Sequence, residues 1–377
     1  MRQSIRRHAA ITKARHLGAA AALIVCSLAH APHAAEPDAA PLRLSFLGMV
    51  EIPSGTRFQG TTIGGLSGAV ALPDGGYLVV SDDREGGPDG TPRLYALSID
   101  LADGSLDAGD VTVTATHPLL TAEGATLDAL EPDPEGIVID RDGRLWIASE
   151  RDSAGRPAIM GFDDLTMTAA LDVPAHHMPG AGQGVRVNKG FESLTLGPDG
   201  ATLWAAHESA LVQDGPDATL EAGPRVRVLR YRLAGGTARL EGEFAYDVEP
   251  VAQAPWPAWN YTDSGLVELL ARPDGALLAL ERSFSAGSPG VGFTVRLFHV
   301  DPTPATAIDQ TGAAAATPMA KTLLLDFADL GIAPDNLEAL ATGPLLPDGR
   351  ETLIVISDDN FAAFGTRSTQ IIALAID

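Results

Sequence analysis

Acidic side chains recur at comparable places along this sequence. Glu135, Glu192, Glu268 and Glu338 each stand at the start of a short apolar run, with Ser67 at the matching place of a fifth. Asp82 or Asp83, Glu150, Glu208, Glu281, and Asp358 or Asp359 each close a second apolar run. Carboxylates that converge on one place can hold a hard cation, act as general bases, or be neutralised by local bases. Both the cation and the ion-pair readings stay open here, because Arg84, Arg151 and Arg282 directly follow three of the acids and Lys189 precedes Glu192. Left uncompensated, like charges a few ångströms apart repel by on the order of kilocalories.

What could bring these acids together is a repeated hairpin. In residues 133–151, two apolar runs flank Asp142-Gly143, a pair that tolerates the positive φ of a tight turn. Glu135 lies seven residues before Asp142 and Glu150 seven after Gly143, so folding at the turn carries both to the open end. The same layout surrounds Asp74-Gly75, Asp199-Gly200, Asp274-Gly275 and Asp348-Gly349. Measured at Ser67, Glu135, Glu192, Glu268 and Glu338, the steps are 68, 57, 76 and 70 residues. Further strands are expected at residues 111–115, 226–232 and 295–300.

Strand-rich units at a fixed spacing predict an all-β fold, a single β-propeller. The steps exceed roughly 40–50 residues per blade, so five to seven blades are expected, with long loops or hidden weaker blades. A strand at residues 42–50 could close the ring by pairing with residues 370–376. Equivalent strand ends converge in a propeller, which places the acids around one mouth of the central channel.

Length and composition agree with such a domain. The chain has 377 residues, 45% hydrophobic, with 40 Gly and 27 Pro, a globular and turn-rich composition. Residues 1–35 carry Arg2, Arg6, Arg7, Lys13 and Arg15, then an apolar run, then small residues, the layout of a cleaved signal peptide. Arg6-Arg7 hints at twin-arginine export, and Cys26, the one cysteine, follows a residue unsuited to lipidation. Residues 36–41 form a short leader, and the domain occupies 42–377. Without the five basic residues of the signal, 21 basic residues face 49 acidic ones, a net charge of −28. That balance disfavours nucleic acid and anionic membranes and suits cations. A periplasmic or secreted protein without cysteine relies on its core or on bound metal.

Four motifs carry a resemblance to a known family. Asp133-Pro-Glu-Gly, Asn188-Lys-Gly-Phe-Glu-Ser-Leu, Asp335-Asn-Leu-Glu-Ala-Leu and Ile356-Ser-Asp-Asp-Asn-Phe resemble the phytase-like family, the "esterase-like activity of phytase" domain of secreted bacterial proteins. The resemblance covers about residues 42–376. It implies a β-propeller and phosphoester or ester hydrolysis of a small molecule, carried by the repeated acids. Ser67 departs from the pattern where the other repeats have Glu, so the first repeat lacks one ligand.

Taken with the residues themselves, this reading makes Glu135, Glu192, Glu338 and Glu208 the catalytic carboxylates. Arg84, Arg151, Lys189 and Arg282 hold the substrate's charge. Asp82, Glu150, Glu268, Glu281, Asp358 and Asp359 hold a divalent cation, Ca²⁺ before Mg²⁺ or Mn²⁺, because the donors are all oxygen. The alternative is a non-enzymatic binding propeller with a structural cation and ligand-recognising loops. Weaker candidates are His176-His177 in a Pro/Gly-rich loop, His207 as a proton donor, and an aromatic loop of Trp256, Trp259 and Asn260-Tyr261 that covers a pocket or caps the fold. Asp140-Arg141-Asp142-Gly143 lacks the distal Glu of a calcium loop and is read as a turn.

Overall fold

Runs such as Leu353-Ile354-Val355-Ile356 are apolar on both faces, so their strands must be covered on both sides. In the computed structural model this is achieved by five four-stranded antiparallel sheets. The structure describes residues 42–377 except 85–86, 128–131, 236, 288–291, 310–311, 364 and 366. The expected signal and leader lie outside these residues.

Blade 1 runs Leu66–Ala71, Gly76–Ser81, Arg93–Ile99, Val111–Pro118. Blade 2 runs Pro134–Ile139, Leu145–Ser149, Ala158–Asp163, Thr166–Ala170. Blade 3 runs Phe191–Leu196, Thr202–His207, Arg225–Ala234, Thr237–Asp247. Blade 4 runs Thr262–Ala271, Leu277–Ser285, Phe293–Asp301, Ala320–Asp326. Blade 5 combines Leu337–Thr342, Thr352–Ser357 and Ser368–Ile376 with the N-terminal strand Leu44–Pro53. That strand pairs antiparallel with Ser368–Ile376 and closes the ring as expected.

The first strand of each blade touches the first strands of both neighbouring blades, so these five strands line the axis. The blade number is therefore five, and the long steps are filled by loops and outer strands, with no further blade among the described residues. The three further strands expected from sequence are blade strands as well. Each pair of adjacent blades encloses its own apolar cluster. Between blades 1 and 5, for example, Leu66, Val79 and Tyr95 pack with Ile354, Ile356 and Ile371. Close approach at the axis uses small residues: a Cβ on Gly68 would lie 2.2 Å from the Glu135 carbonyl oxygen.

One local irregularity is repeated in all five blades. The pairing of first and second strands skips a residue at Ser67, at Glu135-Gly136, at Glu192, at Val267 and at Glu338. These are β-bulges, which re-aim a side chain out of the regular alternation. Immediately beyond the bulge, the second strand presents Asp82, Glu150, Glu208, Arg282 and Asp358 at equivalent register.

Candidate functional site

The bulges and strand ends converge on a cavity of about 350 Å³ at one end of the channel. Blade 1 contributes Ser67 and Asp82, blade 2 Glu135 and Glu150, blade 3 Glu192 and Glu208, and blade 5 Glu338 and Asp358. Asp133 and Asp263 line the same cavity, with Arg84, Lys189 and Arg282 as its cations. Oxygen atoms of Asp82, Asp133 and Glu135 lie within 4.8 Å of one another, as do those of Glu135, Glu150 and Glu192. Glu135 belongs to both groups.

Blade 4 corrects the sequence reading by one residue. Its bulge residue is Val267, packed in the core between blades 4 and 5, and not Glu268. Glu268 pairs regularly with Leu280 and turns away from the mouth. Its carboxylate accepts from the backbone N–H groups of Leu194 (3.2 Å) and Leu269 (2.9 Å). Glu281 is displaced likewise, because Arg282 occupies the position that is acidic in the other blades. Glu281 instead accepts from Tyr246 Oη (2.7 Å) and pairs with Lys321 Nζ (2.6 Å). A one-residue slip flips every side chain of a strand to the other face. The acids at 268 and 281 therefore leave the ring together.

Two other expected residues also stand apart. Asp359 accepts from the hydroxyl of Ser54 and from the N–H of Phe361 (3.1 Å), next to the cavity and not in it. Arg151 reaches Asp133 (Nε–Oδ2, 3.1 Å) from a neighbouring cavity of about 510 Å³. His207 is buried on the far side of its strand from Glu208 and meets His177 (2.7 Å), so it is not placed to serve a leaving group at the mouth. His176 and His177 do not form a solvated pair: both contact Glu243, at 3.0 and 3.2 Å. Those three donors could hold a cation, but Arg227 Nη1 already sits 2.7 Å from Glu243. Asp133, Asp263 and Asn336 were not anticipated. Asp133 and Asn336 stand two residues before the carboxylates at 135 and 338, and the two-residue period of extended chain is the signal that could have found them.

The electrostatics divide the ring. Arg282 is engaged through both terminal nitrogens: its Nη1 donates to Asn336 Oδ1 (2.7 Å) and Glu338 Oε1 (2.9 Å), and Nη2 pairs with Glu208, while its buried Nε has no partner among the described residues. Lys189 pairs with Glu208 (3.0 Å) and with Asp263. Burial works against the charge on Lys189 and Arg282, but the surrounding carboxylates outweigh it and hold both protonated. Among the described residues, no base forms an ion pair with Glu135 or Glu192. Burial, reinforced by neighbouring carboxylates, pushes Asp82, Glu135, Glu150, Glu192 and Asp358 well above the usual carboxylate range. Burial also raises Glu338 to about 7, with Arg282 opposing the rise and Glu208 adding to it.

Behind the mouth, the His177–Glu243–Arg227 group makes a separate pH prediction. Burial holds the imidazoles of His177 and His207 below the ordinary histidine range. For a histidine with a lowered folded pKa, stability is present above the unfolded value, roughly 6.5, and is lost as pH falls below it. Wild-type protein should therefore lose stability relative to His177→Gln as pH drops from 7 to 5. The slope per proton is at most about 1.4 kcal/mol per pH unit. Parallel denaturation midpoints for the two proteins across that range would contradict it.

The sequence model of the family described as "Phytase-like: Esterase-like activity of phytase" matches residues 61–361. A protein of Arthroderma benhamiae named "Uncharacterized secreted protein" is 28% identical over 239 residues, covering 53% of this chain and 44% of its own length. The chain thus spans less than half of that relative. Among solved structures, the periplasmic gluconolactonase PpgL of Pseudomonas aeruginosa aligns over 88% of this chain and 96% of its own, at 15% identity and a TM-score of 0.37. A gluconolactonase of Xanthomonas campestris aligns over 92% and 99%, at 10% identity and a TM-score of 0.35.

Proposed function

The chain belongs to the phytase-like family, and from that premise we propose that it is an exported hydrolase of small phosphate esters or related esters, acting at the carboxylate-lined mouth. The observation that carries the reading is the charge imbalance of one cavity. Nine carboxylates face it, while three cations line it and Arg151 contacts it from behind. The ring pairs some acids internally and leaves Glu135 and Glu192 without a base. Burying that much like charge is costly unless cations or protons neutralise it.

The donors fit a divalent cation. They are oxygen only, three carboxylates approach within 4.8 Å in each of two groups, and the buried Asp82 Oδ1 has no hydrogen-bond partner. Ca²⁺ suits such a set best, held by Asp82, Asp133 and Glu135 or by Glu135, Glu150 and Glu192. Bound there, a cation would supply Lewis acidity toward the ester oxygen. A ring carboxylate that the cation leaves free, Glu192 when the Asp82 group holds it, takes the proton of the attacking water. Arg84, at the rim and paired with Asp133 (2.6 Å), and Lys189 orient the anionic group. Glu208 and Glu338 are held by Arg282 and position the ring. Export rests on the signal-like layout of residues 1–35 and agrees with the naming of the fungal relative. No helix among the described residues is long and apolar enough to cross a membrane.

The test is a hydrolase screen with aryl phosphates, phosphodiesters, phytate and aryl carboxylates, run with Ca²⁺ and with chelator. Turnover with Ca²⁺ that vanishes in chelator is expected, and no turnover of any class under either condition would sink the reading.

Cation binding has an independent readout. At about one hundred times the dissociation constant, Ca²⁺ should stabilise the fold by about 2.7 kcal/mol. The effect should also depend on pH. A carboxylate raised in the fold contributes stability below its unfolded pKa, roughly 4, and loses it as pH rises through the folded value. Chelator-treated protein should therefore weaken from pH 5 to pH 8, and Ca²⁺ should flatten that decline. An unchanged melting temperature on adding Ca²⁺ at pH 8 would refute the site.

A further inference from the structure

Blade 4 differs from the others in more than its register. Its first two strands, Thr262–Ala271 and Leu277–Ser285, run several residues past the ring position, whereas in the other blades the second strand stops one residue short of it and the first extends one residue beyond it. Phe284 stands two residues beyond Arg282, on the same face of the strand. It pairs directly with Phe293 on the next strand and with Asp263 on the first. Tyr261 packs beside it, with ring centroids 6.1 Å apart for Tyr261–Phe284 and 4.8 Å for Phe284–Phe293. Tyr261 is fixed from behind, since its carbonyl accepts from the N–H of Ala286 (2.9 Å).

These three rings line the same cavity as the carboxylates, together with Val187. Tyr261 is 60% exposed and Val187 88% exposed. The mouth is thus two-sided. Blades 1, 2, 3 and 5 present the carboxylates of the ring, while blade 4 presents the Arg282 guanidinium, the Asp263 carboxylate paired with Lys189 and, beside them, an aromatic wall. Exposed apolar surface is unfavourable in water unless a ligand covers it. A ligand made of a small anion alone would contact the polar half and leave these rings wet.

We propose that the substrate is an ester whose alcohol part carries a ring with an apolar face, which stacks on Tyr261, Phe284 and Phe293 while its ester group meets Glu135 and Glu192. The inference rests on the hydrolase reading for the second half of that statement, and the wall is its own observation. An arene and the C–H face of a pyranose both offer this chemistry.

Calorimetric titrations in Ca²⁺ test it with methylphosphonate, phenylphosphonate and a glucopyranosyl phosphonate, and with benzyl alcohol and methyl glucoside as probes that lack the anionic group. The ring-bearing phosphonates should bind about tenfold tighter than methylphosphonate, and Tyr261→Ala should erase the difference while Tyr261→Phe retains it. The tighter of the two identifies the ring. Equal binding of methyl and ring-bearing phosphonates, or an advantage that survives Tyr261→Ala, would overturn the proposal and leave the hydrolase reading standing. If no phosphonate binds, the phosphoester reading falls and the anion-free probes decide: saturable binding abolished by Tyr261→Ala supports the ring site, and no binding refutes it.

Discussion

Glu135→Gln should lower turnover by about 10³-fold while making the chelator-treated protein more stable at neutral pH. The two effects share one cause. Glu135 is buried and belongs to both carboxylate groups, so its charge is what the reaction needs and what crowds the ring once chelator removes the cation. Burial, then Glu192, Asp133 and Asp82, raise its pKa well above the ordinary range. An ionised Glu135 at pH 7 therefore costs the fold free energy that a neutral amide of the same shape does not. Ca²⁺ should stabilise the variant less than the wild type, because a shared ligand is gone. Turnover and melting temperature, each with and without Ca²⁺, check all three statements. A purely structural Glu135 would give the opposite pattern: lower stability in chelator and turnover reduced only as far as folding is.

The fold was readable because its evidence is repeated. Five Asp-Gly or Asp-Gly-Gly turns between apolar runs recur through the chain, and chance does not supply five such coincidences with an acid at the open end. Ring closure by the N-terminal strand was readable for a similar reason: the strand at Leu44–Pro53 had no sequence neighbour to pair with and needed a distant one. Most of the mouth followed, since Asp82, Glu135, Glu150, Glu192, Glu208, Glu338 and Asp358 all line one cavity. Blade 4 was misread because apolar and acidic residues alternate there as Val267-Glu268 and Leu280-Glu281, and an acid lies one step from the ring position on each strand. Spacing from the turn does carry the correct answer. On the first strands, Ser67, Glu135, Glu192 and Val267 each lie seven residues before the Asp of their turns, whereas Glu268 lies six before. Of the aromatic wall only Tyr261 was legible, as the end of an aromatic loop that could cover a pocket; Trp256 and Trp259 of that loop do not line the cavity, and Phe284 and Phe293 were missed for a different reason. Tyr261, Phe284 and Phe293 are far apart in sequence and meet only because blade 4 extends past the ring.

Arg282→Met should be the most destabilising substitution at the mouth, by about 3–5 kcal/mol, and Glu208→Gln in the same chain should recover part of the loss. Arg282 joins Glu208 of blade 3 to Glu338 of blade 5 across the cavity, through a pair to the first and a 2.9 Å bond to the second. Removing it leaves Glu338 without a base and Glu208 with Lys189 alone, in a cavity already short of cations, and breaking one side of a buried pair is costly because the remaining charge loses its partner. Neutralising Glu208 frees the cavity of one of the crowded charges and so removes part of that penalty, and the two substitutions should be non-additive. The register of blade 4 makes the comparison with its neighbour decisive. Had Glu281 been the ring acid, Glu281→Gln would weaken Ca²⁺ binding and Arg282→Met would only loosen a flanking pair. With Glu281 facing Tyr246 and Lys321 between blades, Glu281→Gln should leave the Ca²⁺ stabilisation intact. Arg282→Met, by removing a resident cation, should instead enlarge the stabilisation that Ca²⁺ provides. Thermal melts of both single variants and the Arg282→Met/Glu208→Gln pair, each with and without Ca²⁺, distinguish the two registers. Calcium sensitivity lost in Glu281→Gln and unchanged in Arg282→Met would place the ring one residue away from where the β-bulges put it.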